Sequence, residues 1–339
     1  RSHFGSSPRS TAMSGATTCL ATAGAAASSS VAASSSSSAP SAPAATGKGA
    51  LYKGSGAGGS SSSTAGGSKA AAAAKPKPPE RGQDWDPFVF PSRQPSKLCL
   101  RRVQQDVAQI CRDPPPGCFV FPDESESTVV HCLVVGPADT PYEGGIFYLY
   151  LACPDDYPNN PPRVKLMTGL GKCRLNPNMY QDGKVCLSIL HTWSGPSWQP
   201  VLSITSVLLS IQSLLGDAPY YNEPGYDVEV RPGDVRAYNQ VVQHETLRHA
   251  VVGMMRKCEE GKLPEQFREV MEDIFMSRFD RYEEVCKDNL RHDGEPFRDP
   301  FHTNSGSFEY SALLKRLRKV RRGIKKRSAP EKEGGGEGP

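Results

Sequence analysis

CFVF (118–121), TVVHCLVV (128–135), IFYLYLA (146–152) and RVKLM (163–167) follow one another within fifty residues. Each is rich in β-branched and aromatic side chains, the composition of a strand. The breaks between them hold Gly136-Pro137, Gly144-Gly145 and Asn159-Asn160-Pro161-Pro162. Such short connections cannot carry parallel crossovers, so the four segments predict an antiparallel meander. Upstream, Leu100, Val103, Val107 and Ile110 recur at helical spacing and Pro114-Pro115-Pro116 stops the run. Downstream, residues 168–200 are irregular. Ile204, Val207, Leu208, Ile211, Leu214 and Leu215 then read as a buried helix, with further helices expected over about 232–257, 264–290 and 308–326. A helix, a four-stranded meander and a run of helices make an α+β fold, with helices against one face or end of the sheet.

The 339 residues divide by composition. Residues 1–83 are Ala, Ser, Gly, Thr and Pro with few aromatics. Such a segment cannot bury enough apolar surface to offset its ordering entropy, and disorder is expected. A linker over 84–96 carries Trp85, Phe88 and Phe90, whose rings are expected to lie against the domain, with a contact motif for a partner as the alternative. The core is expected over 97–253, a helical extension over 254–327 and a loose tail over 328–339. The formal net charge of +4 is too small to argue for nucleic acid or a membrane. The chain has no apolar run long enough to span a bilayer and no apolar stretch near its start, so an intracellular location in the cytoplasm and nucleus is expected. The ten cysteines show neither C-x-x-C spacing nor a zinc pattern, which predicts small buried hydrophobes and no metal. In the last helix Leu313, Leu314, Leu317, Val320 and Ile324 form an apolar stripe among many basic residues, the pattern of an amphipathic helix packed on the domain. Nuclear import, contact with an acidic surface and contact with nucleic acid are the alternatives.

The chemistry is read from NPNMYQDGKVCLSIL (176–190), with Trp193 just beyond it. This stretch resembles the ubiquitin-conjugating enzymes, which carry a His-Pro-Asn tripeptide followed by Gly-x-[Val/Ile]-Cys-Leu and then Trp. Here Asn176-Pro177-Asn178 precedes Gly183-Lys184-Val185-Cys186-Leu187. Gly136-Pro137 through Pro141-Tyr142-Glu143-Gly144-Gly145, Tyr157-Pro158 with Pro161-Pro162, and Asn222-Glu223-Pro224 match further motifs of the family in order and spacing, over about 97–250. Asn176 in place of His, Cys-Leu-Ser-Ile-Leu at 186–190, His244-Glu245-Thr246 and the long extension resemble one branch of the family, shared in part with the conjugating domain of a giant inhibitor-of-apoptosis protein.

The resemblance implies a conjugating transferase of the family's fold. Cys186 would take ubiquitin, or a tandem ubiquitin-like modifier, from an activating enzyme as a thioester and pass it to a lysine of a protein substrate with the help of a ligase. A thiolate is the competent nucleophile, so Cys186 is expected to be partly exposed. Its pKa need not be low, because the incoming bond is itself a thioester. The resemblance assigns Asn178 to the oxyanion or to loop structure, and Glu223 to orienting the lysine and helping it lose a proton. It places Asn176, Pro177, Leu187, Tyr221 and Asn222 in the active-site loops, with Tyr220 at the same gate. Lys97, Arg101 and Arg102 would meet the activating enzyme, of the less common type that also handles the tandem modifier. No cofactor is implied, since the activating enzyme consumes the ATP. His191 is expected to be an exposed loop residue and not a base. The competing classes are an inactive binding module of the same fold and a basic scaffold or nucleic-acid protein.

Overall fold

The computed structural model describes residues 84–89 and 94–328. The disorder expected for 1–83, the ring of Phe90 and nearly all of the tail from 328 lie outside the described residues.

Helix α1 spans Lys97–Arg112, capped by the Ser96 hydroxyl, which accepts from the Cys99 amide. Its buried face is Cys99, Val103, Asp106 and Ile110, so the helix is rotated slightly from the apolar stripe read in the sequence. The rotation buries a carboxylate, which is tolerated because Asp106 has three partners. Arg102 Nε lies 2.8 Å from Oδ1, while the Tyr157 hydroxyl and the Ile204 amide donate to Oδ2.

Strands β1 (Cys118–Pro122), β2 (Val129–Val135), β3 (Ile146–Ala152) and β4 (Arg163–Leu166) pair in chain order as an antiparallel meander, as the sequence predicts. Cys132 sits opposite Leu149, and Leu149 opposite Leu166. Every residue of β2 is buried. A half-exposed strand would alternate; β2 does not, because the sheet is covered on both faces. Val130, Cys132, Phe147, Leu149 and Val164 point into one core, closed by α1, by α2 (Ile204–Ser213) and by the irregular segment after β4. Phe121, Leu133, Ile146 and Tyr148 point into the other.

That second core is made by the C-terminal helices. Helix α3 (Asp234–Glu245) runs through a π-helical stretch, Thr246–Gly253, into α4 (Met254–Glu259). The boundary placed at 253/254 falls inside this continuous run. Helix α5 (Phe267–Asp288) sets Phe267 against the sheet, with its ring 5.1 Å from Tyr148 and 5.0 Å from Phe121. Helix α6 (Tyr310–Arg327) buries the expected stripe. Arg318 reaches Glu283 of α5 at 2.7 Å, and Arg327 reaches Glu272 at 2.7 Å. The basic helix is therefore first of all a packed element.

The short piece 84–89 lies on the β3–β4 edge. The Phe88 ring is 4.6 Å from Tyr150, the Lys165 ammonium sits 5.4 Å from the Trp85 ring, and Lys165 pairs with Asp86. The two described rings of the linker thus contact the domain, as expected. No helix among the described residues is long and apolar enough to cross a membrane.

Candidate active site

After β4 the chain makes a small hairpin-like turn. Met179 bridges Val185, Tyr180 N donates to Lys184 O at 2.9 Å, and Cys186 N donates to Asn178 O at 2.8 Å. Gly183 closes the turn at φ 91°, and a Cβ there would come within 2.7 Å of Leu166 O. Only glycine satisfies both the angle and the space. Beyond the thiol, the Thr192 hydroxyl accepts from Leu187 N at 2.9 Å and donates to Val185 O, which holds the backbone on either side of Cys186.

Asn176, standing where the family has His, is fully buried and anchors the turn. Its Nδ2 donates to the Tyr142 hydroxyl and to Leu214 O, both at 2.8 Å, and its Oδ1 accepts from Asn178 N at 2.8 Å. Asn222 Nδ2 donates to the same Leu214 carbonyl at 3.3 Å. The C-terminal end of α2 thereby ties the 176–178 loop to the 219–224 loop. Pro177 is buried, Leu187 is half-buried and Tyr221 is exposed. Tyr220 is not at a gate: it is fully buried and stacks on Phe301 at 5.2 Å.

Cys186 differs from expectation in its exposure. It is 3% exposed, not partly open. Burial raises its thiol pKa, against which Lys184, a hydrogen bond from Tyr180 and the charge of Arg174 act to lower it, while Asp182 acts to raise it. Desolvation wins, so the thiol is the resting form. His191 is exposed and bonded to Ser197 Oγ at 2.8 Å.

Asn178 is half-buried, and its Nδ2 donates to the carbonyl of Cys186 at 2.9 Å. Its amide therefore holds the active-site backbone and lies beside the thiol-bearing residue. Glu223 is an ion-pair partner, its Oε2 2.8 Å from Arg174. Lys97 and Arg101 are exposed on α1. Arg102 is a correction. Besides Asp106, its guanidinium donates to Pro200 O at 2.8 Å and Leu202 O at 2.6 Å, so it fastens α1 to the entry of α2 and is not free for a partner.

Two residues of the site were missed in the sequence. Arg174 donates to Pro177 O and Glu223, and its guanidinium carbon sits 4.6 Å from the centre of the Tyr180 ring. Tyr180 belongs to the turn that carries Cys186, its amide donating to Lys184 O at 2.9 Å. An Arg and a Tyr in an irregular stretch give no sequence signal for such a stack. The fold also gathers Cys173, Glu245 and His249, whose ligand atoms lie within 4.8 Å of one another, a grouping no spacing showed. Glu245 already accepts from His244 at 2.9 Å and Arg248 at 3.5 Å and lies 3.2 Å from His249 Nε2, so it is the centre of a polar cluster.

Residues 102–243 match the sequence model of the family described as "Ubiquitin-conjugating enzyme". The chain is 48% identical over 253 residues to "Ubiquitin-conjugating enzyme E2 Z" of Danio rerio, covering 73% of this chain and 76% of that protein. It is 49% identical over 252 residues to the Homo sapiens protein of the same name, covering 74% and 69%. It is 39% identical over 170 residues to "Dual E2 ubiquitin-conjugating enzyme/E3 ubiquitin-protein ligase BIRC6" of Homo sapiens, which is 46% of this chain and 4% of that protein. The meander, the Asn-Pro-Asn turn before Cys186 and these matches agree, and the chain belongs to the ubiquitin-conjugating enzymes, transferases that work with ubiquitin, an activating enzyme and ligases.

Proposed function

We propose that this transferase accepts its modifier as a thioester on Cys186 and passes it to a lysine amine. One observation carries the assignment. Cys186 is pinned to the Asn176–Pro177–Asn178 turn, its amide donating to Asn178 O at 2.8 Å and its carbonyl accepting from Asn178 Nδ2 at 2.9 Å. Other free thiols, such as Cys118 and Cys132, sit within the strands.

In loading, the Cys186 thiolate attacks the thioester carbonyl of the modifier on the activating enzyme. A new S–C bond forms, the old one breaks, and the partner's sulfur leaves as thiolate. One thioester replaces another, so the step is near balance and a strongly depressed thiol pKa is not required. In discharge, a neutral lysine amine attacks the same carbonyl and Cys186 leaves. The oxyanion that forms needs a donor. Asn178 Nδ2 has a second hydrogen beyond the one given to Cys186 O, which supports a role at that oxygen worth roughly 2.7–4 kcal/mol. Glu223, held by Arg174, would orient the incoming ammonium. Lys97 and Arg101 are exposed and suit an acidic surface of the activating enzyme. No cofactor enters these steps.

The finer identities rest on the motif set of the branch. They are ubiquitin with a tandem ubiquitin-like modifier as second cargo, and the activating enzyme that handles both. A cytoplasmic and nuclear location is proposed from the exposed basic side of α6, where Lys315, Lys319, Lys325 and Lys326 lie. The test separates the half-reactions. Asn178→Ala should load Cys186 at near the normal rate and discharge to free lysine about 100-fold more slowly. Equal slowing of both steps would leave Asn178 a loop residue only.

A further inference from the structure

The loop between α5 and α6 reaches across to the active-site side of the molecule. Phe301 packs on Tyr220 and lies 4.8 Å from the Tyr238 ring. Asp299, buried, organises the loop by accepting from Phe301 N at 2.9 Å, Thr303 N at 3.0 Å and Asn304 N at 2.7 Å. So shaped, the loop presents the Asn304 side chain to the backbone of Arg174. Asn304 Oδ1 accepts from Arg174 N at 2.8 Å, and Asn304 Nδ2 donates to Arg174 O at 3.0 Å. A side-chain amide that satisfies both backbone groups of one residue fixes its position and its peptide orientation together.

Arg174 then faces the site. Its guanidinium donates to Glu223 and to Pro177 O and covers the Tyr180 ring, the last two on the turn that holds Cys186. We infer that Asn304 and Arg174 are positioning residues, through which the C-terminal extension sets the charge beside Cys186 and the position of the turn that carries it. The inference rests on Cys186 being the carrier. Nothing about the loop's remote packing would need an Asn that pinches Arg174: the aromatic contacts of Phe301 hold it already.

The electrostatics give the expected direction. The charged and titratable groups around the sulfur are Lys184, Arg174, Asp182 and Tyr180, with Glu223 one step out on Arg174. A displaced Arg174 takes a cation away and loosens Tyr180, and both changes disfavour the thiolate. Freed from Arg174, Glu223 adds a bare negative charge in the same sense.

The readout is the rate of Cys186 alkylation by iodoacetamide as a function of pH, followed by peptide mass on the full chain without any activating enzyme. Asn304→Ala and Arg174→Gln should each move the midpoint to higher pH and slow the reaction at neutral pH by about 3- to 10-fold. The double variant should react no more slowly than Arg174→Gln alone, because Asn304 acts through Arg174. If Asn304→Ala does not give a cooperative melt, Asn304→Ser, which keeps one hydrogen-bonding group, is the deciding variant. An unshifted midpoint in a folded Asn304 variant, or shifts that add in the double variant, would overturn the inference. A Cys186→Ala chain that still accepts modifier would instead overturn the carrier assignment and leave the alkylation result standing.

Discussion

The two faces of the sheet do different work. One face packs α1, α2 and the turn that holds Cys186, and its backbone is governed by side-chain amides such as Asn176 and Asn178. The other face packs α3 to α6 through large apolar groups, with Phe267, Phe275, Phe279 and Tyr282 all buried. Changes on the first face should alter rates at little cost in stability; changes on the second should do the reverse. β2 lies between them with no exposed side, so each face depends on the other for its cover.

Removing everything after Gly253 should break the comparison most severely. Leu133, Ile146 and Tyr148 would lose their cover, and a bared apolar sheet face of this kind aggregates. The truncated chain is expected to lack a cooperative melt. A soluble core that melts near the full-length temperature and still charges would show the second face to be dispensable. A smaller cut is Phe275→Ala, which opens a cavity among Phe279, Tyr282 and their neighbours. It should cost about 3–5 kcal/mol by denaturant melt while leaving the pH dependence of Cys186 alkylation in place.

Glu245 lies where the two faces meet and gives a pH test. Burial acts to raise its pKa, but hydrogen bonds from His244 and His249, with their charges, prevail and hold it at about 2, below the ordinary 4.5. A depressed carboxyl contributes stability that is present above pH 4.5 and lost as the pH falls through about 2. The full effect is on the order of 3 kcal/mol. Glu245→Gln should therefore melt lower at neutral pH and show a flatter decline in acid. Parallel pH curves for the two proteins would remove Glu245 from this role. The smallest effect expected is that of Tyr180→Phe. Loss of the hydroxyl should move Cys186 alkylation to higher pH and slow it a few-fold at neutral pH, with an unchanged melt.

Strand placement was legible in the sequence because β-branched runs between Gly and Pro turns admit few alternatives. The meander and the five helical stretches read in the sequence follow from it and from apolar spacing, the stretch over 232–257 holding α3, the π-helical turn and α4. What the pattern did not carry is where a polar side chain goes once buried. Asp106 lies outside the apolar stripe read for α1 and is held, buried, by Arg102, Tyr157 and the Ile204 amide. Arg102 reads as a partner-facing cation and is consumed by the same cluster. The π-helical stretch at Thr246–Gly253 keeps an ordinary apolar spacing, so no periodicity announced it. In the site, the motif fixed Cys186 and its turn. The Asn304–Arg174–Tyr180 line depends on a loop brought in from far along the chain, and local sequence has no term for that.

The carrier role of Cys186 is tested most directly by intact mass. The full chain is incubated with a ubiquitin-activating enzyme, ubiquitin and ATP, then weighed with and without reductant. The account predicts one added ubiquitin that reductant removes, mapping to Cys186, absent in Cys186→Ala and resistant to reductant in Cys186→Ser. A reductant-labile adduct that persists in Cys186→Ala, or that maps to another of the cysteines, would contradict it.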